Sequence, residues 1–310
     1  MADQRRSRWL FARTLALTSL CLLRAAVALP AAPVRPMATS FPAATGSVIV
    51  PVEPYAFVTE RIAGDRVNVL TLVPPGRSPH TYSPTPQQIA AFAGADALFV
   101  SGLELERGLV PRLQALDHDL LIIDLHSAAT PEAETRAPDV HGHDSGHDPH
   151  VWLDPRTVIR QAGLIASTLS EIDEQGAHIY AAGLDSLTHD LELLDAELRS
   201  RLRPRSGSRF YVFHPAFGHF AEAYGLEQVA VETNGKEPSA KRLAELVDMA
   251  RRDRTRVVIT QPQHSGATVL TLAREIDAAI VSVDPLAFDL FATLRALADA
   301  ITSNAEDGRL

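Results

Sequence analysis

From Ser47 onward, short β-branched runs alternate with amphipathic stretches. Ser47 to Val52 predicts a strand, Tyr55 to Ala63 a helix ended near Gly64, and Val67 to Val73 a second strand. A Pro- and Gly-rich loop, PPGRSPHTYSPTP, leads into a helix over Pro86 to Ala93. Ala97 to Ser101 and Leu120 to Asp124 predict strands with a helix between them. This β-α-β-α rhythm implies a mainly parallel sheet covered by helices. It then breaks. Arg156 to Ile172 predicts one amphipathic helix and Gln175 to Leu202 a longer one. Leu184, Leu187, Leu191, Leu194, Leu198 and Leu202 form a single stripe at helical period, and Pro204 stops it. Such a stripe fits a coiled-coil seam or packing along the body of its own chain; the second is expected. The rhythm returns with strands over Arg209 to Phe213, Gln228 to Glu232, Val257 to Thr260 and Ala279 to Val283. Helices fall over Ala216 to Tyr224, from Pro238-Ser239 with Ser239 as N-cap, over Thr268 to Ile276, and over Phe288 to Ile301. The expected organisation is α/β: one lobe over residues 47–173, a linking helix over 174–203 and a second lobe over 204–310.

Composition narrows the class. The 310 residues are 46% hydrophobic and 22% charged, as in an ordinary globular protein. The first forty residues carry six Arg against one Asp, a charge of +5, so the overall −9 leaves −14 for the remainder. That acidic body argues against a nucleic-acid partner. Arg5, Arg6 and Arg8, an apolar stretch from Trp9 to Leu29, and Ala26-Val27-Ala28 together read as a cleaved secretory signal over residues 1–28. Arg13 and Arg24 interrupt the apolar stretch and oppose a permanent membrane span. Residues 29–46, rich in Pro and Ala, read as a linker. The single cysteine, Cys21, lies inside the signal, and Leu20 before it disfavours lipid attachment. The mature chain would have no thiol, so any metal must be held by His, Asp or Glu.

The segment VHGHDSGHDPHVWLDP, Val140 to Pro155, concentrates four His and three Asp. Imidazole and carboxylate at this density point to a divalent transition metal, most naturally zinc. In open parallel sheets, ligands sit beyond the carboxyl ends of the strands. His80 follows one predicted strand, His214 directly follows Phe213, Asp284 directly follows Val283, and His150 enters the helix at Arg156. Two candidates come from each half, which places a metal between them.

Five segments then make the chain resemble the zinc/manganese class of metal-binding solute-binding proteins of bacterial ABC importers. They are LVPPGRSPHTYSPTPQQI (72–89), HDPHVWLDP (147–155), VFHPAFGHFAEAYGL (212–226), KEPSAKRL (236–243) and VDPLA (283–287). The resemblance implies two parallel-sheet lobes joined by one long rigid helix, with a metal in the interlobe cleft. It implies His80, His150, His214 and Asp284 as ligands, zinc as cargo, and delivery to ABC permease membrane subunits by a periplasmic monomer. Manganese members of the class tend to place Glu at the third position, where this chain has His214. Three imidazoles suit zinc better than hard Mn²⁺. Asp284 and a water molecule are alternative fourth donors. His141, His143 and His147 resemble the mobile loop of zinc members. Glu106 lies in SGLELERGL, where Arg107-Gly108 depart from the family's pattern.

The other candidates are weaker. His264, after a strand end, is an accessory candidate for the cleft, and His219 is expected at the surface with His118, His126, His178 and His189. Trp152 is expected to pack beside His150, and Asp154 to cap the helix at Arg156. A zinc hydrolase would need an open metal position and a base, and no HExxH, triad or phosphate-loop signature is present. A manganese- or iron-binding or adhesin-like member would use the same site.

Overall fold

The computed structural model describes residues 45–129, 148–232, 235–263 and 267–303. The predicted signal, the linker up to residue 44, Cys21, His141, His143, His147 and His264 lie outside the described residues. The first sheet is formed by β1 (Gly46–Val50), β2 (Val67–Thr71), β3 (Ala97–Val100) and β4 (Leu121–Asp124), in the order β2-β1-β3-β4. The helices α1 (Glu53–Ala63), α2 (Pro86–Phe92) and α3 (Glu104–Leu116) connect them. After α4 (Pro155–Ile172) and α5 (Ala177–Leu202) the second sheet contains β5 (Arg209–Val212), β6 (Glu227–Ala230), β7 (Val257–Thr260) and β8 (Ala279–Ser282), in the order β6-β5-β7-β8. Its helices are α6 (Gly218–Ala223), α7 (Ala240–Arg252), α8 (Ala267–Ile276) and α9 (Leu290–Ser303). All pairings are parallel. The two sheets share one winding order, a repeat of topology with no trace in the sequence.

The sequence pattern explains the elements. Central strands such as β1 (GSVIV) and β7 (VVIT) are apolar because helices cover both faces. Asp154 caps α4, accepting from the amides of Arg156 and Thr157 with Pro155 in the first turn. Ser239 caps α7 in the same way. The long helix starts later than Gln175, because Glu174–Gly176 winds as a tight turn held by the Asp173 carboxylate. The strand expected over Gln228 to Glu232 runs instead over Glu227–Ala230, which leaves Glu232 beyond the strand end.

At 26 residues, α5 extends roughly 39 Å at the α-helical rise. It packs against α1, α4 and α9, and so touches elements of both halves. Leu187, Leu191, Leu194, Leu198 and Leu202 are fully buried there, so the stripe is a core face of its own chain. Gly183 permits the closest approach: a Cβ at this position would lie 2.3 Å from the Ile62 carbonyl oxygen of α1. One apolar cluster runs from Val48 through the α5 stripe to Ile301, and a smaller one lies under β5, β6 and β7 against α7 and α8. The larger cluster is shared by both halves. Among the described residues no helix is long and apolar enough to cross a membrane.

Candidate metal centre

Three of the four predicted ligands come together. His80, from the loop after β2, His150, from the turn before α4, and His214, just beyond the end of β5, each offer one ligand atom within 4.8 Å of the others. His80 Nε2 and His214 Nε2 are 3.2 Å apart. Two nitrogens bound tetrahedrally to zinc at about 2.0–2.1 Å would be about 3.3 Å apart, so the two rings stand at a spacing that one ion could bridge. The ring centroids are 4.9 Å (His80–His214), 5.4 Å (His150–His214) and 5.9 Å (His80–His150) apart. His150 and His214 are buried and His80 is exposed, so the group has one open side. The cavity bordered by the three rings, Ser78, Gln261, Gln263 and Pro285 has a volume of about 10 Å3. That is the space of one water or one ion, too little for an organic substrate.

Two imidazoles are oriented by carboxylates. Glu232 Oε1 lies 2.5 Å from His214 Nδ1 and Asp148 Oδ1 lies 2.6 Å from His150 Nδ1. A carboxylate can only accept here, so each ring donates from Nδ1, which leaves Nε2 as the nitrogen a metal would use. Burial, and next the charge of Glu237, push the Glu232 carboxyl up. Burial also pushes Asp148 up, but the hydrogen bond and charge of His150 outweigh it and leave Asp148 below the usual carboxylate range. Asp148 is itself placed by the His150 amide, which donates to Oδ1, and by His219 Nε2, 3.0 Å from its carbonyl oxygen. Gly218 makes room for it: a Cβ there would sit 2.6 Å from Asp148 Oδ2. Gln261 holds the His214 backbone at both ends, accepting from its amide and donating to its carbonyl.

Asp284 is not part of the three-histidine group. It is half-buried at the end of β8, where its Oδ1 accepts from Gln263 Nε2 at 2.7 Å and the Leu286 amide at 2.9 Å. Trp152 packs edge-on against His150 at 5.3 Å, as expected, and against Tyr55 at 5.9 Å. It also donates from Nε1 to the Pro285 carbonyl at 2.9 Å, a bond between the two halves. Glu106 lies apart from the histidines, accepting from the amides of Ser101, Gly102 and Leu103; burial pushes its carboxyl up to about 7. His118, His178 and His189 are exposed and His126 half-buried, all outside the group. His219, expected at the surface, is half-buried against Asp148.

Glu232, Gln261 and Gln263 were not singled out in the sequence. The signal was available: each follows a strand end of the second sheet, as His214 and Asp284 do. Every strand of that sheet thus delivers a polar side chain to one edge, at the crevice where parallel sheets bind ligands.

The family model of ZnuA, described as zinc-uptake complex component A, periplasmic, matches residues 48–304. The chain belongs to this family. It is one of periplasmic substrate-binding components of metal importers rather than of enzymes, in agreement with the resemblance carried by the five segments. The high-affinity zinc uptake system protein ZnuA of Paracoccus denitrificans is 31% identical over 229 residues, 62% of this chain and 68% of that protein. The manganese-binding lipoprotein MntA of Halalkalibacterium halodurans is 32% identical over 200 residues, 63% of this chain and 63% of that protein. A crystal structure of ZnuA has a TM-score of 0.77 at 36% identity, covering 84% of this chain and 98% of that chain. This neighbour and the two four-stranded sheets give the same two-lobed α/β fold.

Proposed function

We propose that the protein captures Zn²⁺ outside the cytoplasmic membrane through His80, His150 and His214 and delivers it to an ABC permease. The observation that carries this reading is the meeting of three imidazoles from distant parts of the chain, with Nε2 atoms of His80 and His214 at coordination spacing. An all-nitrogen protein donor set favours zinc, whereas Mn²⁺ takes oxygen-rich sites. We assign the fourth position to a water, because Asp284 lies outside the three-histidine group with its Oδ1 held by Gln263 and Leu286. One exposed imidazole and two buried ones suit a cargo that must enter and leave, with His80 as the gate-side donor. The leader over residues 1–28, the lobe boundaries at 173 and 204, and a monomeric state belong to the same proposal.

Zinc titration of the purified mature protein tests it. His214→Ala should weaken zinc binding by orders of magnitude. All three imidazoles must be unprotonated at the metal-facing nitrogen, so affinity should fall between about pH 7.5 and about pH 5.5. Equal affinity at both pH values, or retention of zinc by His214→Ala, would sink the three-histidine site.

A further inference from the structure

We propose that Gln263 is a specificity-determining residue, which disfavours manganese by holding the Asp284 carboxylate away from the three imidazoles. The inference rests on the three-histidine reading above and deepens it. Asp284 occupies a strand-end position in the same crevice as His214, and Pro285 and Leu286, the next residues in the chain, border the cavity. Its carboxylate nevertheless stays outside the cluster. Two donors hold its Oδ1 in place: Gln263 Nε2 at 2.7 Å and the Leu286 amide at 2.9 Å. The backbone bond belongs to the turn itself. The Gln263 bond comes from the end of a different strand, β7, and its side chain borders the cavity beside the histidines.

The amide has two ends, and they face different needs. Its nitrogen is committed to Asp284. Its Oε1 is buried without a hydrogen-bond partner among the described residues. An amide oxygen there can accept from a water carried by the metal, as an acidic side chain would, without adding a negative charge or a ligand. Zinc is satisfied by three nitrogens and a water. Manganese is a harder ion that favours carboxylate and water oxygens, so withholding the one nearby carboxylate costs it more. Asp284 freed from Gln263 would add both an oxygen donor and a charge, and the gain would be larger for manganese.

The test measures zinc and manganese dissociation constants by chelator competition on the purified mature protein. It compares wild type, Gln263→Leu, Asp284→Asn and the double variant. Losing one hydrogen bond to a charged group corresponds to about a tenfold effect or more. Gln263→Leu should therefore reduce the zinc-over-manganese preference by about tenfold, mainly through tighter manganese binding. The double variant should return the preference to the wild-type value, a rescue that a purely structural role for Gln263 would not produce. Asp284→Asn alone should leave zinc affinity within a few-fold of wild type. If Gln263→Leu does not fold, Gln263→Asn, one methylene too short to reach Asp284, carries the same expectation. An unchanged preference in the folded Gln263 variant overturns the proposal, and so does a tenfold or greater loss of zinc by Asp284→Asn. Retention of zinc by His214→Ala instead overturns the three-histidine reading, so the two failures are distinguishable.

Discussion

The carboxylates behind the histidines give the sharpest prediction, through the substitution Glu232→Gln. Glu232 is 5% exposed and its Oε1 is 2.5 Å from His214 Nδ1. Loss of such partners behind metal-bound histidines typically weakens metal binding by about 10–100-fold, or about 1.4–2.7 kcal/mol. The substitution keeps shape and volume, so it opens no cavity. It removes the charge that makes the imidazole a strong donor, and it allows the proton to move to the Nε2 that the metal needs. Burial disfavours the Glu232 charge in the metal-free protein, so the neutral side chain should leave that form equally or more stable. The signature is therefore a dissociation: zinc affinity falls 10–100-fold while the melting temperature without metal holds or rises. Chelator competition reads the first and thermal unfolding with and without zinc reads the second. Glu227→Gln is the control, since Glu227 is exposed and pairs with Arg209 on the surface. Zinc affinity within threefold of wild type in folded Glu232→Gln would refute the orienting role.

Three further expectations follow from the packing. Gly183→Ala should destabilise the protein by about 1–3 kcal/mol in urea unfolding, because the new methyl meets the Ile62 carbonyl at 2.3 Å and two helices must separate; a neutral result would show that α1 and α5 are not clamped there. Trp152→Phe keeps the ring packing but leaves the buried Pro285 carbonyl without its donor, costing about 1–3 kcal/mol; unchanged stability would mean the bond between the halves is dispensable. Glu106 has a carboxyl raised by burial to about 7, so its neutral form fits the fold best. Its contribution to stability is present below the unfolded-state value and is lost as pH rises through about 7, on the order of a few kcal/mol. Glu106→Gln should flatten the decline between about pH 5 and about pH 8, and parallel stability curves for the two proteins would contradict this.

Much of this protein was determined by local chemistry. The alternation of β-branched runs with amphipathic stretches was enough to place the strands and the long helix, because strands buried on both faces read as short apolar runs and a helix reads as a stripe at its own period. Pro155, Asp154 and Ser239 marked helix starts through capping that needs only neighbouring residues. His80 and His214 were legible because strand ends in parallel sheets converge on one crevice, and His150 because it closes the His-rich segment ahead of α4. What only the tertiary structure decided was which polar groups meet. The leucine stripe was compatible with a dimer seam until α1, α4 and α9 were seen to cover it. Glu232 behind His214 is separated from it by 18 positions, and the bond from Trp152 to Pro285 spans 133. Asp284 had the right residue type at the right strand end, and a glutamine 21 positions earlier holds its oxygen. Hydrogen bonds act over about 3 Å of space whatever their distance along the chain, so the sequence nominated candidate ligands and the packing of two sheets brought three of them together.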